Sequence, residues 1–517
     1  MHGQRVSDEL RKLLGSDKVV TDEQYLLSYA SDMIPTGQLR KLAGRLPSRK
    51  PLSICFAEDV EDVRRVVKFC AAERVPMIPW GAGSGVCGSN VPVEDSIALD
   101  LKRMNRVLSL VPEERQVTVQ PGLIGEELEE RLNARGLTMG HFPSSIACST
   151  VGGYVACRSA GQFSSRYGKI EDMLLGLEVV LPNGEVARLG ILGDGHYKDP
   201  VLDLIAGSEG TLGVITEVCL KVEPLPEKMD FRGYAFLDLE DGIQCMRRVM
   251  QSDLRPTVLR LYDPLDSLMA GFHSKTSDGE DIHRAAARLT GLKGTLAAAI
   301  TELNAAGLAV GLFRPSLLNR VVELLPTRAL LIAGVQGKNA KITEQWDRFT
   351  TIVAAAHGED LGPAPGHAWY KRRYAVSYKQ SKLYQAGAFV DTMEVATTWE
   401  NLAPMYRAIV KALSKHVFIM AHFSHAYPQG CSIYFTFAAY RPTERSRKST
   451  YQQAWRAGLE AVQRFNGTIS HHHGIGTLKR WAMTRESPGG QELFQAFKHA
   501  LDPASIMNPG KIYNIDV

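Results

Sequence analysis

The chain lacks the marks of a disulfide-built, membrane-spanning or nucleic-acid-coating protein. Its 517 residues hold eight cysteines (Cys55, Cys70, Cys87, Cys148, Cys157, Cys219, Cys245 and Cys431), and no two form a Cys-x-x-Cys pair. That scatter excludes a zinc knuckle and a disulfide framework and fits a reducing compartment. No apolar run reaches about 18 residues, so no spanning helix is expected. The opening Met1-His2-Gly3-Gln4-Arg5 is not followed by the apolar core of a secretory signal, and Ile515-Asp516-Val517 is not a peroxisomal Ser-Lys-Leu address. The expected location is therefore cytoplasmic. A formal net charge of only +4 lacks the basic excess of a nucleic-acid binder, so no nucleic-acid partner is expected. There is no internal repeat and no low-complexity tract.

What is present reads as an ordinary globular protein. Hydrophobic residues make up 44% and charged residues 22%, in a chain long enough for two or three cores. Residues 1–50 are expected to be a helical segment. Leu52-Ser53-Ile54-Cys55-Phe56, Pro76-Met77-Ile78-Pro79-Trp80, Ser96 to Leu101 and Gln116 to Gln120 read as strands. Glu58 to Glu73 has helical periodicity, with Val60, Val63, Val66, Val67 and Cys70 on one face, and Glu126 to Arg135 is a second helix. Pro182-Asn183-Gly184 turns a hairpin, and Leu212 to Val222 alternates like a strand with one exposed face. Glu223-Pro224-Leu225-Pro226-Glu227 marks a boundary. The expected division is 51–226, then 227–440 with an antiparallel sheet and helices on one face, then a helical segment over 441–517 that returns to the first domain.

Three loops carry the chemistry. Pro79-Trp80-Gly81-Ala82-Gly83-Ser84-Gly85-Val86 follows a strand and would expose consecutive backbone N–H groups to a phosphate. It lacks the Gly-Lys-Ser/Thr ending of a P-loop and the helix and acid of a Rossmann fingerprint, and alone it also reads as a plain turn. Pro143-Ser144-Ser145-Ile146-Ala147-Cys148-Ser149-Thr150 and Ala206-Gly207-Ser208-Glu209-Gly210-Thr211-Leu212-Gly213-Val214-Ile215-Thr216 are equally short of bulk. Together they suggest a long dinucleotide lying against backbone. Near the C-terminus, His471-His472-His473-Gly474-Ile475-Gly476 sets three imidazoles before a Gly-x-Gly turn. Imidazole titrates near neutrality, although such a run also fits a solvated loop or an adventitious metal site.

These loops, in this order, resemble the vanillyl-alcohol oxidase type flavoproteins, and Asn508-Pro509-Gly510-Lys511 resembles their closing motif. Within that superfamily the segments Arg166-Tyr167-Gly168-Lys169-Ile170-Glu171-Asp172, Leu259-Arg260-Leu261 and Cys431-Ser432-Ile433-Tyr434-Phe435 are similar to the alkyldihydroxyacetonephosphate synthases. The resemblance implies an α+β fold: a two-subdomain FAD-binding domain, an α+β cap domain with an antiparallel sheet, and a helical C-terminal segment. It implies noncovalent FAD, no metal, and exchange of the acyl chain of acyl-dihydroxyacetone phosphate for a fatty alcohol without net redox change. Its catalytic tyrosine falls on Tyr427, with His471, His472 and His473 as neighbours to a phenol that ordinarily titrates near pH 10. His141 matches a histidine near the flavin and Arg260 an arginine required for activity. Flavin and pyrophosphate contacts map to Pro79 through Gly85, Ser144 through Thr150, Cys157-Arg158-Ser159-Ala160, and Glu209 through Ile215. The phosphate-binding arginine expected upstream of Glu394-Val395-Ala396-Thr397-Thr398-Trp399 falls on Gln380, beside Lys379, with Arg372 and Arg373 as substitutes. A lipid-like substrate, peripheral membrane contact and a homodimer complete what the resemblance implies. Ala270 to Asp281 is expected to be a mobile covering loop.

Two other readings stand beside this one. A D-2-hydroxyacid dehydrogenase or oxidase of the D-lactate or glycolate type would use the same scaffold, but its metal-binding acid before His-Gly-Ile-Gly is replaced here by histidine. A non-catalytic flavin- or lipid-binding protein is the third, and Tyr427 beside the histidine run argues against it.

Overall fold

The computed structural model describes residues 2–193, 195, 199–267, 312–323, 327–375, 383–384 and 387–514. Lys379, Gln380 and the segment Ala270 to Asp281 lie outside the described residues. The backbone groups into two units: Met1–Gly161 with Gly168–Leu225 and His472–Val517, and Gln162–Tyr167 with Pro226–His471. Among the described residues no helix is long and apolar enough to cross a membrane.

The first unit is built on two principal sheets. In one, Ile54–Phe56, Ile97–Asp100 and Met77–Trp80 run parallel, and Val19–Val20 joins antiparallel at the edge. The helix Val60–Glu73 starts where the Asp59 side chain accepts from the Asp62 amide, and it buries Val63, Val66, Val67 and Cys70 as its periodicity predicts. The helix His2–Leu14 adds Val6, Leu10 and Leu14 to the same core. The second sheet is antiparallel, in the order Val107–Val111, Gln116–Val119, Val214–Lys221, Leu174–Val180, Val186–Gly190. The hairpin turns at Gly184, whose φ of 80° only glycine adopts freely. Val214–Lys221 corrects one expectation. It is the central strand, and all but Glu217 and Lys221 are buried, so there is no exposed face.

One buried acid draws the distant parts of this unit together. Glu209 accepts from the Ser89 hydroxyl (2.7 Å) and from the amides of Ile475 (2.6 Å) and Gly476 (2.9 Å). Asn508 donates to the carbonyls of Ser89 (3.0 Å) and Glu209 (2.7 Å). Lys498 donates to the carbonyls of Thr211 and Met507, each at 2.7 Å. The glycine loop, the third small-residue loop and the C-terminal segment thus share one hydrogen-bond network.

The second unit is a seven-stranded antiparallel sheet: Glu359–Gly362, Lys228–Phe236, Ala329–Gly337, Val258–Tyr262, Phe418–Ala426, Gly430–Tyr440, Ala388–Thr398. Side chains alternate between its faces. Leu261, Phe423, Ile433 and Val395 form one cross-strand row, and Tyr262, His422, Tyr434 and Glu394 form the adjacent row on the opposite face. On the face shared with the apolar row, Asp391 accepts from Tyr451 (2.7 Å) and Trp455 (3.0 Å) of the helix Glu444–Gln463. The other face carries ionisable groups, which burial forces into partnerships.

At Gly476 (φ 54°) an added Cβ would stand 2.1 Å from the Cys87 carbonyl oxygen, whereas at Gly136 (φ 70°) it would meet nothing within 4 Å. Gly136→Ala should therefore cost only the left-handed backbone penalty, about 1–2 kcal/mol. Gly476→Ala should cost roughly 3 kcal/mol or more, because the clash adds to that penalty. Denaturant unfolding of the two variants checks the difference.

Candidate functional site

The first unit presents a backbone cradle. The amides of Ala82, Gly83, Ser84, Gly85 and Val86 meet no acceptor among the described residues. The cradle is held from behind. Asp32 accepts from the Gly88 amide (2.9 Å), the Met33 amide donates to the Gly85 carbonyl (2.8 Å), and Lys102 donates to the Gly81 carbonyl (3.2 Å). A Cβ on Gly81 would fall 2.5 Å from the Thr150 hydroxyl, so only glycine lets the first loop lie against the second. Thr150 caps the helix Val151–Cys157, accepting from the Gly153 amide. Burial pushes the Asp32 carboxyl up to about 7. A row of unpaired amides fits the pyrophosphate of the expected dinucleotide.

Ser144, Ser145, Ile146, Ala147, Cys148 and Ser149 form a tight turn closed by the Ser145 carbonyl, which accepts from the amides of Cys148 and Ser149. Arg158 turns its guanidinium to the carbonyls of Ala206 (2.9 Å) and Asp203 (2.7 Å). Glu209 is saturated by the donors described above. Gly210 through Gly213 lead into the central strand, which begins with Val214 and Ile215. His141 is fully buried, its Nε2 2.7 Å from the Ser159 hydroxyl, and its Nδ1 has no hydrogen-bond partner among the described residues. Burial, with His472 adding repulsion, drives its pKa down to about 3, so the ring is neutral. His472 and His473 pack edge to face at 4.8 Å. An orphaned nitrogen on a buried neutral ring is a second feature suited to a ligand.

The second unit gathers a polar cluster on the ionisable face of its sheet. Tyr427 donates to the Ser164 hydroxyl (3.3 Å), and Ser164 stands 2.7 Å from His425 Nδ1. The His471 ring lies 5.5 Å from Tyr427 and 5.7 Å from His425. Its amide donates to Glu394 (3.0 Å), a fully buried carboxylate. Beside it, Arg260 donates to His422 Nε2, and His422 Nδ1 faces Asp266 at 2.9 Å. Burial first, and the Arg260 charge second, lower the His422 pKa to about 4. The ring is therefore neutral, with Nδ1–H toward Asp266 and the Nε2 lone pair toward arginine. Arg260 Nε has no hydrogen-bond partner among the described residues. Arg373 lies over the rings of Tyr370 (3.9 Å) and Tyr374 (4.3 Å), and its buried Nε likewise meets no partner among the described residues. Arg372 ends the helix Ala364–Arg372.

The triple-histidine run divides between the units: His471 belongs to the second, His472 and His473 to the first. Of the expected catalytic residues, the second unit brings together Tyr427 and His471, with Arg260 in the neighbouring Asp266–His422 chain. The sequence reading missed Ser164, His425, Glu394, His422, Asp266 and Tyr434. His425 stands two residues before Tyr427. Glu394, His422 and Tyr434 would have emerged from a period of two, had their strands been recognised.

His422 stays neutral in the fold but protonates in the unfolded chain below about 6.5, so acid favours unfolding. His422→Asn lacks this liability. Its stability deficit against the parent should narrow by up to about 1.4 kcal/mol per pH unit as the pH falls from about 6.5 to about 4. Denaturant titrations across that range measure it.

Comparison with known proteins agrees with the two halves of this geometry. A model described as FAD binding domain matches residues 51–190, and one described as FAD linked oxidases, C-terminal domain, matches residues 225–512. The chain is 28% identical over 523 residues to an alkyldihydroxyacetonephosphate synthase of Dictyostelium discoideum, covering 98% of this chain and 80% of that protein. It is 24% identical over 517 residues to glycolate oxidase subunit GlcD of Bacillus subtilis, covering 99% and 97%. A solved alkyldihydroxyacetonephosphate synthase aligns with a TM-score of 0.76 at 25% identity, covering 98% of this chain and 85% of that one. A solved p-cresol methylhydroxylase, at 18% identity and a TM-score of 0.71, shares the fold, which is the α+β fold of vanillyl-alcohol oxidase type. Since the second model alone spans more than half of the sequence, the chain belongs to the FAD-linked oxidase family, and FAD is its cofactor.

Proposed function

We propose that this enzyme exchanges the acyl chain of an acyl-dihydroxyacetone phosphate for a fatty alcohol, forming an ether-lipid precursor without net redox change. The observation that carries the reading is the Tyr427 cluster: a phenol hydrogen-bonded to a buried hydroxyl and flanked by imidazoles. That is acid–base equipment for a proton on the carbon beside a ketone. In this reading Tyr427 takes that proton. Arg260, oriented by His422 and Asp266, offers its Nε–H to an anionic oxygen of the substrate. Arg373, held by its two tyrosines, receives the phosphate in place of the arginine expected at Gln380. FAD, when bound noncovalently on the backbone cradle of Gly81 through Val86, would supply an electrophilic ring for the exchange.

A second reading has one observation in its favour. Arg260 and Arg373 suit a carboxylate as well as a phosphate, and the glycolate oxidase subunit is a relative over nearly its whole length. A D-2-hydroxyacid dehydrogenase would be bleached anaerobically by D-lactate or D-glycerate, and the synthase would not.

The direct test is exchange of labelled hexadecanol into palmitoyl-dihydroxyacetone phosphate by the purified yellow protein. Tyr427→Phe should lower turnover by about 100-fold or more with its FAD absorbance unchanged. Persistent bleaching by a D-hydroxy acid with no exchange would overturn the reading. Arg373→Ala should raise KM for the phosphate ester more than it lowers kcat, because it removes a contact made in the ground state and the transition state alike.

A further inference from the structure

We infer that Ser164 relays a proton between Tyr427 and His425, an inference that rests on Tyr427 being the catalytic base. Three features converge on this serine. The first is direction. Tyr427 Oη donates to Ser164 Oγ at 3.3 Å, and Ser164 Oγ meets the ring nitrogen Nδ1 of His425 at 2.7 Å. A hydroxyl that accepts from a phenol and donates to an imidazole is a two-step proton wire.

The second is how the serine is delivered. Gln162–Tyr167 falls in the middle of the first unit's sequence, yet it belongs to the second unit. It is tied there along its length. Gln162 donates to the Arg373 carbonyl (3.0 Å), Ser165 accepts from the Ala426 amide (3.2 Å), Arg166 donates to the Arg255 carbonyl (3.0 Å), and Tyr167 accepts from Gln336 (2.7 Å). Ser164, at the centre, is buried. The third is the histidine. His425 takes a left-handed φ of 53° where the register between Phe418–Ala426 and Gly430–Tyr440 slips, between Ser424 and Ala426. A bulge with an unfavourable backbone re-aims a side chain, and here the ring meets Ser164.

The step balances without an outside reactant. Tyr427 Oη gives its proton to Ser164 Oγ as the serine's own proton passes to His425 Nδ1, leaving a tyrosinate and an imidazolium. The serine O–H then donates to the tyrosinate, which is ready to accept the proton from substrate carbon. The surroundings favour this charge separation. His471 faces both Tyr427 and His425, and Tyr434 lies against His425 at 5.9 Å. Glu394, 3.7 Å from His471 Nδ1, places a buried carboxylate behind the imidazoles. Trp399 Nε1 donates to the backbone carbonyls of Tyr427 (3.0 Å) and Pro428 (3.1 Å), which anchors the turn that carries the phenol.

The test places 3-fluorotyrosine at position 427 of the full-length FAD-loaded protein and follows its phenol by ¹⁹F NMR against pH. Ser164→Ala should raise the phenol midpoint by about one pH unit and lower kcat by about 10-fold or more. Ser164→Thr, which keeps the hydroxyl, should restore both. His425→Asn tolerates the left-handed backbone and keeps an acceptor but not a base, so it should also raise the midpoint. An unmoved midpoint in both Ser164→Ala and His425→Asn overturns the relay, as does equal impairment of Ser164→Ala and Ser164→Thr. Full turnover in Tyr427→Phe would instead overturn the assignment of the base, an outcome the fluorine titration does not share.

Discussion

Register in the seven-stranded sheet is the constraint on which the candidate chemistry depends. Antiparallel pairing sets residues directly opposite one another, and a shift of one residue would send every side chain to the other face. The observed register aligns Tyr262, His422, Tyr434 and Glu394 across four strands. Tyr262, His422 and Glu394 are buried and Tyr434 is partly buried, and burial makes an unpartnered charge costly. The solution is pairwise: Glu394 takes the His471 amide, and neutral His422 stands between Asp266 and Arg260. Each hydrogen bond fixes an orientation as well as satisfying an atom. What emerges is a rigid floor carrying Arg260 and a flanking cluster around Tyr427.

The first unit solves a different problem with different means. Its cradle works through backbone, and a backbone ligand site needs loops held still from outside. Glu209, Asn508 and Lys498 do this by spending buried polar side chains on amides and carbonyls of distant segments. Burial raises the Glu209 carboxyl above its ordinary range, while the Ser89 hydroxyl, the amides of Ile475 and Gly476, and the charge of Lys511 pull it down. The motifs Gly207-Ser208-Glu209-Gly210 and His473-Gly474-Ile475-Gly476 therefore serve assembly of the loops as well as contact with a ligand. Asp32 does the same work for the glycine loop, from a segment that the sequence reading treated only as helical.

Legibility of the sequence followed the kind of signal each element carries. The helix Val60–Glu73 and the strands Ile54–Phe56, Met77–Trp80 and Ile97–Asp100 announced themselves by periodicity and apolar runs. For Lys228–Phe236, Val258–Tyr262 and Ala329–Gly337, the runs Gly233 to Phe236, Thr257 to Leu261 and Ala329 to Gln336 were legible as strands in the same way. Ala388–Thr398, Phe418–Ala426 and Gly430–Tyr440 were not, because Asp391, Glu394, His422 and His425 break the apolar pattern, and those breaks are where the candidate site lies. Tyr427 and Arg260 were legible only through family resemblance, whereas His471 stood out in the histidine run itself. Ser164 was invisible to both routes: nothing in Gln162-Phe163-Ser164-Ser165 tells that six residues leave one unit to join the other. Neither could the burial of His141 and His422, which sets their protonation, be read from residue type.

Hydrogen loss from substrate is the most direct measure of whether the Tyr427 cluster does acid–base chemistry on carbon. Palmitoyl-dihydroxyacetone phosphate would be incubated with the FAD-loaded protein in deuterated water, without fatty alcohol, and the carbon beside the ketone followed by NMR. The account predicts that the wild-type protein replaces one α-hydrogen by deuterium and that Tyr427→Phe, with its flavin intact, does not. Equal exchange by both proteins, or none by either, would contradict it.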